Sequence, residues 1–186
     1  MQKYSDSELI EGCRAGKREA QHRLYRTFSP RMYGVSLRYM KNKQDAEDVL
    51  QDAFIKVFTN IHKFKEAGSF EGWIRRIVVN TAITKLKNEK KMRFSVEIEK
   101  AEREMIEEDK DVFSVEKTVS TTQILELLQT LPKGYQTVFN LFLFERYSHK
   151  QIANLLGISE NTSKTQLFKA KKQMRKLIEN LKKNDE

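Results

Sequence analysis

The side chains whose types and spacing could do chemistry fall into three groups, none of them arranged to make or break bonds. The first is a polar stripe: Arg76, Asn80, Thr84 and Lys87 recur at i, i+4, i+8 and i+11, one line along a helix. Guanidinium, amide, hydroxyl and ammonium are the groups that meet phosphates and base edges. The second is acidic: Asp45, Asp48 and Asp52 share a helical face, with Glu47 beside them. Near a helix N-terminus such carboxylates are favoured by the dipole, so the face is either simply solvated or a docking face for a basic protein. The third lies near the C-terminus, where Asn161, Thr162, Thr165, Lys169 and Lys172 turn away from an apolar side made by Ser163, Leu167, Ala170 and Met174, with Lys164 and Gln166 flanking.

Other chemistries lack their residues. His22, His62 and His149 are scattered, with no cysteine or paired acid at metal-ligand spacing beside them, so neither metal nor cofactor is expected. No phosphate-cradling glycine loop, nucleophile elbow or zinc-protease motif occurs. A Mg²⁺ role for Asp45, Asp48 and Asp52 has no substrate pocket to serve, and no catalytic activity is expected.

The elements that must position these groups are helical almost throughout. Seven Gly and two Pro in 186 residues are few, and β-branched runs are scarce, which favours an all-α chain. Ser5 caps a first helix to about Ala15. A second covers about Glu19–Phe28; Ser29-Pro30 resets the chain for a third, from about Arg31 to Met40. A fourth, from about Asp45 to Asn60, buries Leu50, Ala53, Phe54, Val57 and Phe58. Residues 62–72 read as a loop in which Lys63, Phe64, Lys65, Ser69 and Phe70 interleave cations and rings. A fifth helix, from about Trp73 to Lys91, carries the polar stripe; Trp73 is by default a core anchor, with base stacking the second reading.

Further along, Thr122–Leu131 and the strongly apolar Tyr135–Glu145 read as helices. Ser148 with Gln151 forms a capping box for a short helix, Gln151–Leu156. Gly157-Ile158-Ser159 makes the turn, and Ser159 caps a last helix from Glu160 to about Leu181. Short helix, glycine turn and a helix with a polar, basic outer face form the helix-turn-helix pattern at 148–172.

Charge follows the same division. The net +9 resolves into +9 over residues 1–95, −6 over 96–130 and +6 over 131–186. Two basic bodies joined by an acidic segment suit a polyanion touched at two places; a solvated basic surface is the plainer alternative. The expected architecture is all-α, with two small helical domains (1–93 and 121–186) joined by an acidic linker (94–120), the C-terminal domain a helix-turn-helix. No apolar run approaches the roughly 18 residues of a membrane span. Met1-Gln2-Lys3-Tyr4 runs straight into a helix start, so no signal peptide is expected. The lone Cys13 fits a reducing cytoplasm.

Several segments in order resemble the extracytoplasmic-function (ECF) sigma factors of bacterial RNA polymerase. Asp45-Ala46-Glu47-Asp48-Val49-Leu50-Gln51-Asp52-Ala53-Phe54 is similar to the family's polymerase-docking helix. Phe70-Glu71-Gly72-Trp73-Ile74-Arg75-Arg76-Ile77-Val78-Val79-Asn80-Thr81-Ala82 is similar to its −10 segment. Leu131-Pro132, Tyr147–Ala153 and Leu156-Gly157-Ile158-Ser159 are similar to its −35 domain. The resemblance spans about residues 5–177.

It implies that Asp45, Glu47, Asp48, Gln51 and Asp52 bind core RNA polymerase. The loop Lys63–Gly72, with Trp73, would capture a base flipped from the opened −10 strand, along which Arg76, Asn80, Thr84 and Lys87 would lie. The helix from Ser159, with Asn161, Thr162, Lys164, Thr165, Gln166, Lys169 and Lys172, would enter the −35 major groove. Promoter DNA is the implied ligand, and members are commonly held inactive by an anti-sigma factor. Thr84 and Lys87 stand where many members carry Asp and Arg. Gln166 stands where Arg is commoner and replaces a guanine-preferring fork with an adenine-capable amide. The rival reading is a stand-alone helix-turn-helix regulator whose N-terminal helices sense a ligand or dimerise.

Overall fold

The computed structural model describes residues 5–89 and 119–184, and every regular element among them is helical. The chain divides into two compact units, Met1–Leu86 and Lys87–Glu186. The expected linker at 94–120, with Glu97 through Asp111, falls almost wholly outside the described residues.

In the first unit α1 (Asp6–Arg14) opens on a capping box between Ser5 and Glu8. It crosses α2 (Arg18–Tyr39) closely: a Cβ on Gly12 would come within 2.6 Å of the Ala20 methyl. The break expected at Ser29-Pro30 does not occur. Pro30 sits inside one continuous 22-residue helix. It and Arg26, whose carbonyl loses its N–H partner, are both exposed, so water can take that carbonyl. Leu24, Phe28, Met32 and Val35 are buried on the opposite side, and their burial outweighs the roughly 3 kcal/mol a helical proline costs.

Helix α3 (Lys43–Asn60) is capped by Asn42, whose side chain accepts from the Asp45 N–H at 2.7 Å. It buries Ala46, Val49, Leu50, Ala53, Phe54 and Val57 against α2. A 3-10 turn (Ile61–Lys63) follows, then α4 (Phe70–Asn88). The loop between them is shorter than expected, because Ser69 starts α4 by accepting from the Gly72 N–H at 3.2 Å. Arg14 ties the loop down, donating to the Phe64 carbonyl at 2.6 Å and pairing with Glu66 at 2.9 Å.

In the second unit α5 (Thr121–Thr130), α6 (Lys133–Phe139) and α7 (His149–Leu156) all pack on the long α8 (Glu160–Asn184). The single helix expected over Tyr135–Glu145 widens instead into a π segment at Asn140–Phe144. The Glu145 N–H reaches back five residues to the Asn140 carbonyl at 3.1 Å, the i→i+5 pattern. Ser148 and Gln151 form the capping box of α7, and Gly157 ends it at φ 73°, the left-handed conformation glycine takes without penalty.

Candidate nucleic-acid interface

The acidic face lies on the N-terminal half of α3. Glu47, Asp48, Gln51 and Asp52 are exposed and Asp45 is half-buried. Two of the carboxylates already have a cation: Lys85 on α4 places its ammonium 2.8 Å from Asp45 and 3.0 Å from Asp48. Burial works against the charged form of Lys85, but the hydrogen bonds and charges of Asp45 and Asp48 outweigh it and hold its pKa above the usual value. Glu47 and Asp52 make no ion pair among the described residues. Ile55, one turn beyond, is 63% exposed. It stood outside the buried stripe in the sequence, and a lone apolar residue on a polar face was the signal available.

Helix α4 presents Arg76, Asn80, Thr84 and Lys87 to solvent while Ile74, Val78, Val79, Ala82, Ile83 and Leu86 fill the core. Part of that stripe borders an open groove of about 300 Å³. Trp73, Ile77, Asn80, Thr81 and Thr84 line it from α4; Lys56, Asn60 and Lys63 line it from α3 and the turn. Lys56 and Asn60 were not singled out by sequence, because α3 read as an apolar stripe with one acidic face. No carboxylate lines the groove.

The aromatic residues expected to face outward divide. Phe64 and Phe70 are 6% and 3% exposed, and their rings pack 5.0 Å apart, with Phe70 edge-on to Phe28. They are core, and their assignment to a base-capturing surface is corrected. Trp73 is half-buried. One side rests on Phe64 and Phe70, with centroids at 5.5 and 5.9 Å, and the residue also lines the groove. Lys63, Lys65 and Ser69 are exposed, Ser69 with its hydroxyl engaged as a cap.

Helix α8 needs a larger correction. Thr162, Thr165 and Gln166 are buried, not outward. The reason is packing from several sides: α5, α6 and α7 all press on this helix, so its buried arc is wider than one apolar stripe. Gln166 is fully buried against α6, where a Cβ on Gly134 would stand 3.2 Å from its amide oxygen. It therefore cannot serve as the adenine-reading amide in this arrangement. Thr162 belongs to the cap: Ser159 Oγ accepts from the Thr162 N–H at 2.9 Å and lies 2.8 Å from its hydroxyl. Buried Ser163 meets His149 Nδ1 at 2.9 Å, joining the two helices of the motif. Ser159, Asn161, Lys164 and Lys172 remain exposed, with Lys169 half-buried.

Among the described residues no group of three or more His, Cys, Asp or Glu could hold a metal. No helix among them is long and apolar enough to cross a membrane.

Comparison with known proteins fits both units. Residues 24–92 match Sigma-70 region 2 and residues 121–174 match Sigma-70 region 4. The chain is 31% identical over 143 residues to RNA polymerase sigma factor SigV of Bacillus subtilis, covering 77% of this chain and 81% of the relative. It is 27% identical over 183 residues to RNA polymerase sigma-H factor of Pseudomonas aeruginosa, 95% of each chain. In fold it is similar to the sigma factor RpoE of Bartonella quintana, solved with the anti-sigma factor NepR, at a TM-score of 0.52 and 15% identity over 85% of this chain and 96% of that one. A stand-alone regulator does not account for the match over 24–92. Acidic helix face, polar groove and helix-turn-helix thus occur on a chain with both sigma regions: it belongs to the extracytoplasmic-function sigma factors, DNA-binding subunits that bind core RNA polymerase, recognise −10 and −35 promoter elements and initiate transcription.

Proposed function

We propose that the two units divide this work. The first docks polymerase through Asp45, Glu47, Asp48, Gln51 and Asp52 on α3 and holds the opened −10 strand along Lys63, Lys65, Ser69, Trp73, Arg76, Asn80 and Thr84, a stripe that Lys87 continues at the end of α4. The observation that carries this is the groove: a half-exposed indole, two amides, two hydroxyls and two cations meet there with no carboxylate. A single strand is held by these means, bases on rings and phosphates on cations. The second unit reads the −35 duplex through Ser159, Asn161, Lys164, Lys169 and Lys172, with the capped start of α8 leading into the groove.

The chain supplies positions and charge, while polymerase supplies the catalysis; the work takes place in the cytoplasm. An anti-sigma factor is a further partner, a reading supported by the relative of the same fold that was solved with one. Run-off transcription with core polymerase over a library of candidate promoters tests the whole reading. Promoter-dependent transcripts are expected, and the double variant Asp48→Lys/Asp52→Lys should abolish them while keeping its helical content. Normal transcription by that variant would leave the acidic face merely solvated.

A further inference from the structure

We propose that Arg14, the last residue of α1, is a positioning residue for promoter opening: by tying down Phe64 and Glu66 it holds the loop before α4, with Lys65 between them, in the shape that receives the −10 strand. This rests on reading that loop as part of the strand's site.

The match to Sigma-70 region 2 begins at residue 24, beyond the end of α1, yet α1 packs on the turn that leads into the loop. Arg14 makes the connection. One terminal nitrogen of its guanidinium donates to the Phe64 carbonyl at 2.6 Å and the other to a Glu66 carboxylate oxygen at 2.9 Å. A guanidinium fixes its N–H groups in a planar fork, so the two acceptors are held at a set spacing. Lys65 lies between them and is exposed.

Glu66 shows what the fork restrains. Its φ is 58°, a left-handed conformation that a residue with a side chain keeps only where its surroundings hold it. The start of the loop is secured by burial, because Phe64 packs on Phe70 and Trp73. Residues 65–69 are all exposed, so no core holds Glu66; Arg14 does. The ion pair is itself open to solvent, with 33% and 53% of the two side chains accessible, and such pairs add little to the stability of a fold. Its effect falls on the shape of the loop before the strand arrives. A fluctuating loop binds only through the fraction of chains in the competent shape, and apparent affinity falls by that fraction. A loop already held also surrenders less freedom on binding. Arg14 acts through Lys65 and does not itself touch the strand.

A purely structural role, joining α1 to the rest of the unit, is the competitor. The test uses holoenzyme assembled from core polymerase and the full chain. The probe is a labelled single strand carrying the −10 region of a promoter identified by run-off transcription, and association and dissociation are followed separately. Arg14→Met should slow association about fivefold, as a competent fraction near one fifth would, with the dissociation rate unchanged. Lys65→Met should weaken binding by at least as much. With Lys65→Met already in place, Arg14→Met should add less than about twofold, because residues that act as one unit are not additive. Polymerase affinity should be the same in all variants. Glu66→Ala cuts the ion pair from the loop side and leaves α1 untouched. It should slow association in the same way but by less, since the bond to the Phe64 carbonyl survives. Should Arg14→Met lose helical content, Glu66→Ala decides alone, and wild-type association by it would overturn the proposal. Full additivity of Arg14→Met with Lys65→Met, or faster dissociation with unchanged association, would also overturn it. Wild-type holoenzyme failing to bind the strand, or Lys65→Met binding as wild type does, would overturn the loop reading along with it. Weaker binding by Lys65→Met beside wild-type rates in Arg14→Met would overturn the Arg14 assignment alone.

Discussion

The ammonium of Lys85 lies 3.0 Å from a carboxylate oxygen of Asp48 and 2.8 Å from one of Asp45, so α4, the helix bearing the polar stripe, partly neutralises the acidic face of α3. Among the described residues, Glu47 and Asp52 are the carboxylates on that face with no ion pair. Lys85 thus sets how much negative charge an incoming basic surface meets, and it bridges the two helices assigned to polymerase and to DNA.

Replacing Lys85 with Met should tighten polymerase binding and make it more salt-sensitive. Partly exposed pairs are worth up to about 1 kcal/mol, so the gain should not exceed about fivefold, measured by fluorescence anisotropy against core polymerase. The same variant should melt slightly below wild type. Because the folded-state pKa of Lys85 is raised above 10.5, its contribution is complete below that value and lost as pH rises through the higher one. The melting difference between wild type and Lys85→Met should therefore be constant at neutral pH and shrink only in strong alkali. A difference that vanishes between pH 6 and 8 would refute the assignment.

On α8, exposed and buried polar residues should separate cleanly. Lys164→Ala should weaken duplex promoter binding and lower the salt slope by about 0.9 if it meets one phosphate. Gln166→Ala should appear mainly in thermal melting, by about 1–3 kcal/mol for losing a buried polar side chain. Gly134→Ala should act in the same direction, because its methyl would press on the Gln166 amide. A changed base preference in Gln166→Ala without loss of stability would return that residue to the reading surface.

What could be read from sequence was whatever depends on period and caps. The acidic face, the α4 stripe, the capping box at Ser148 and the glycine turn at 157 all follow from spacing along one helix, and each is where spacing put it. What failed depends on neighbours distant in sequence. Pro30 looked like a boundary because local propensity cannot weigh the apolar residues holding α2 to its partners. Thr162, Thr165 and Gln166 looked exposed because a helical wheel assumes a single packed side, whereas three helices close on α8. Phe64 and Phe70 looked like strand-facing rings because a basic loop surrounds them; their mutual packing and the Phe28 edge are long-range facts. Lys56 was invisible for the same reason, since its place in the groove depends on α4.

Pro30 gives a stability test. Because α2 is continuous through it, Pro30→Ala restores a backbone donor and removes the ring's clash with the preceding turn. The gain should approach but not exceed about 3 kcal/mol, read as a higher melting temperature of the full chain with unchanged helical content. A destabilised Pro30→Ala would mean that the helix is interrupted at this point in solution.

Trp73 is the last residue whose two roles can be separated. It rests on Phe64 and Phe70 yet borders the groove, so substitution should reveal both an anchor and a stacking platform in different proportions. Phe70→Ala, which empties a buried site, should cost about 3–5 kcal/mol of stability. Trp73→Ala should cost less stability than that but should weaken single-strand binding, by about 1–3 kcal/mol if one base stacks on the indole, while Trp73→Phe keeps part of both. Since Trp73 is the only tryptophan among the 186 residues, its fluorescence in the isolated chain reports on the groove directly. Adding a −10 single strand at low salt should quench it, and the quench should disappear as salt is raised. Emission unmoved by a strand that demonstrably binds would assign Trp73 to the core alone and leave stacking to no ring in the groove, because Phe64 and Phe70 are buried.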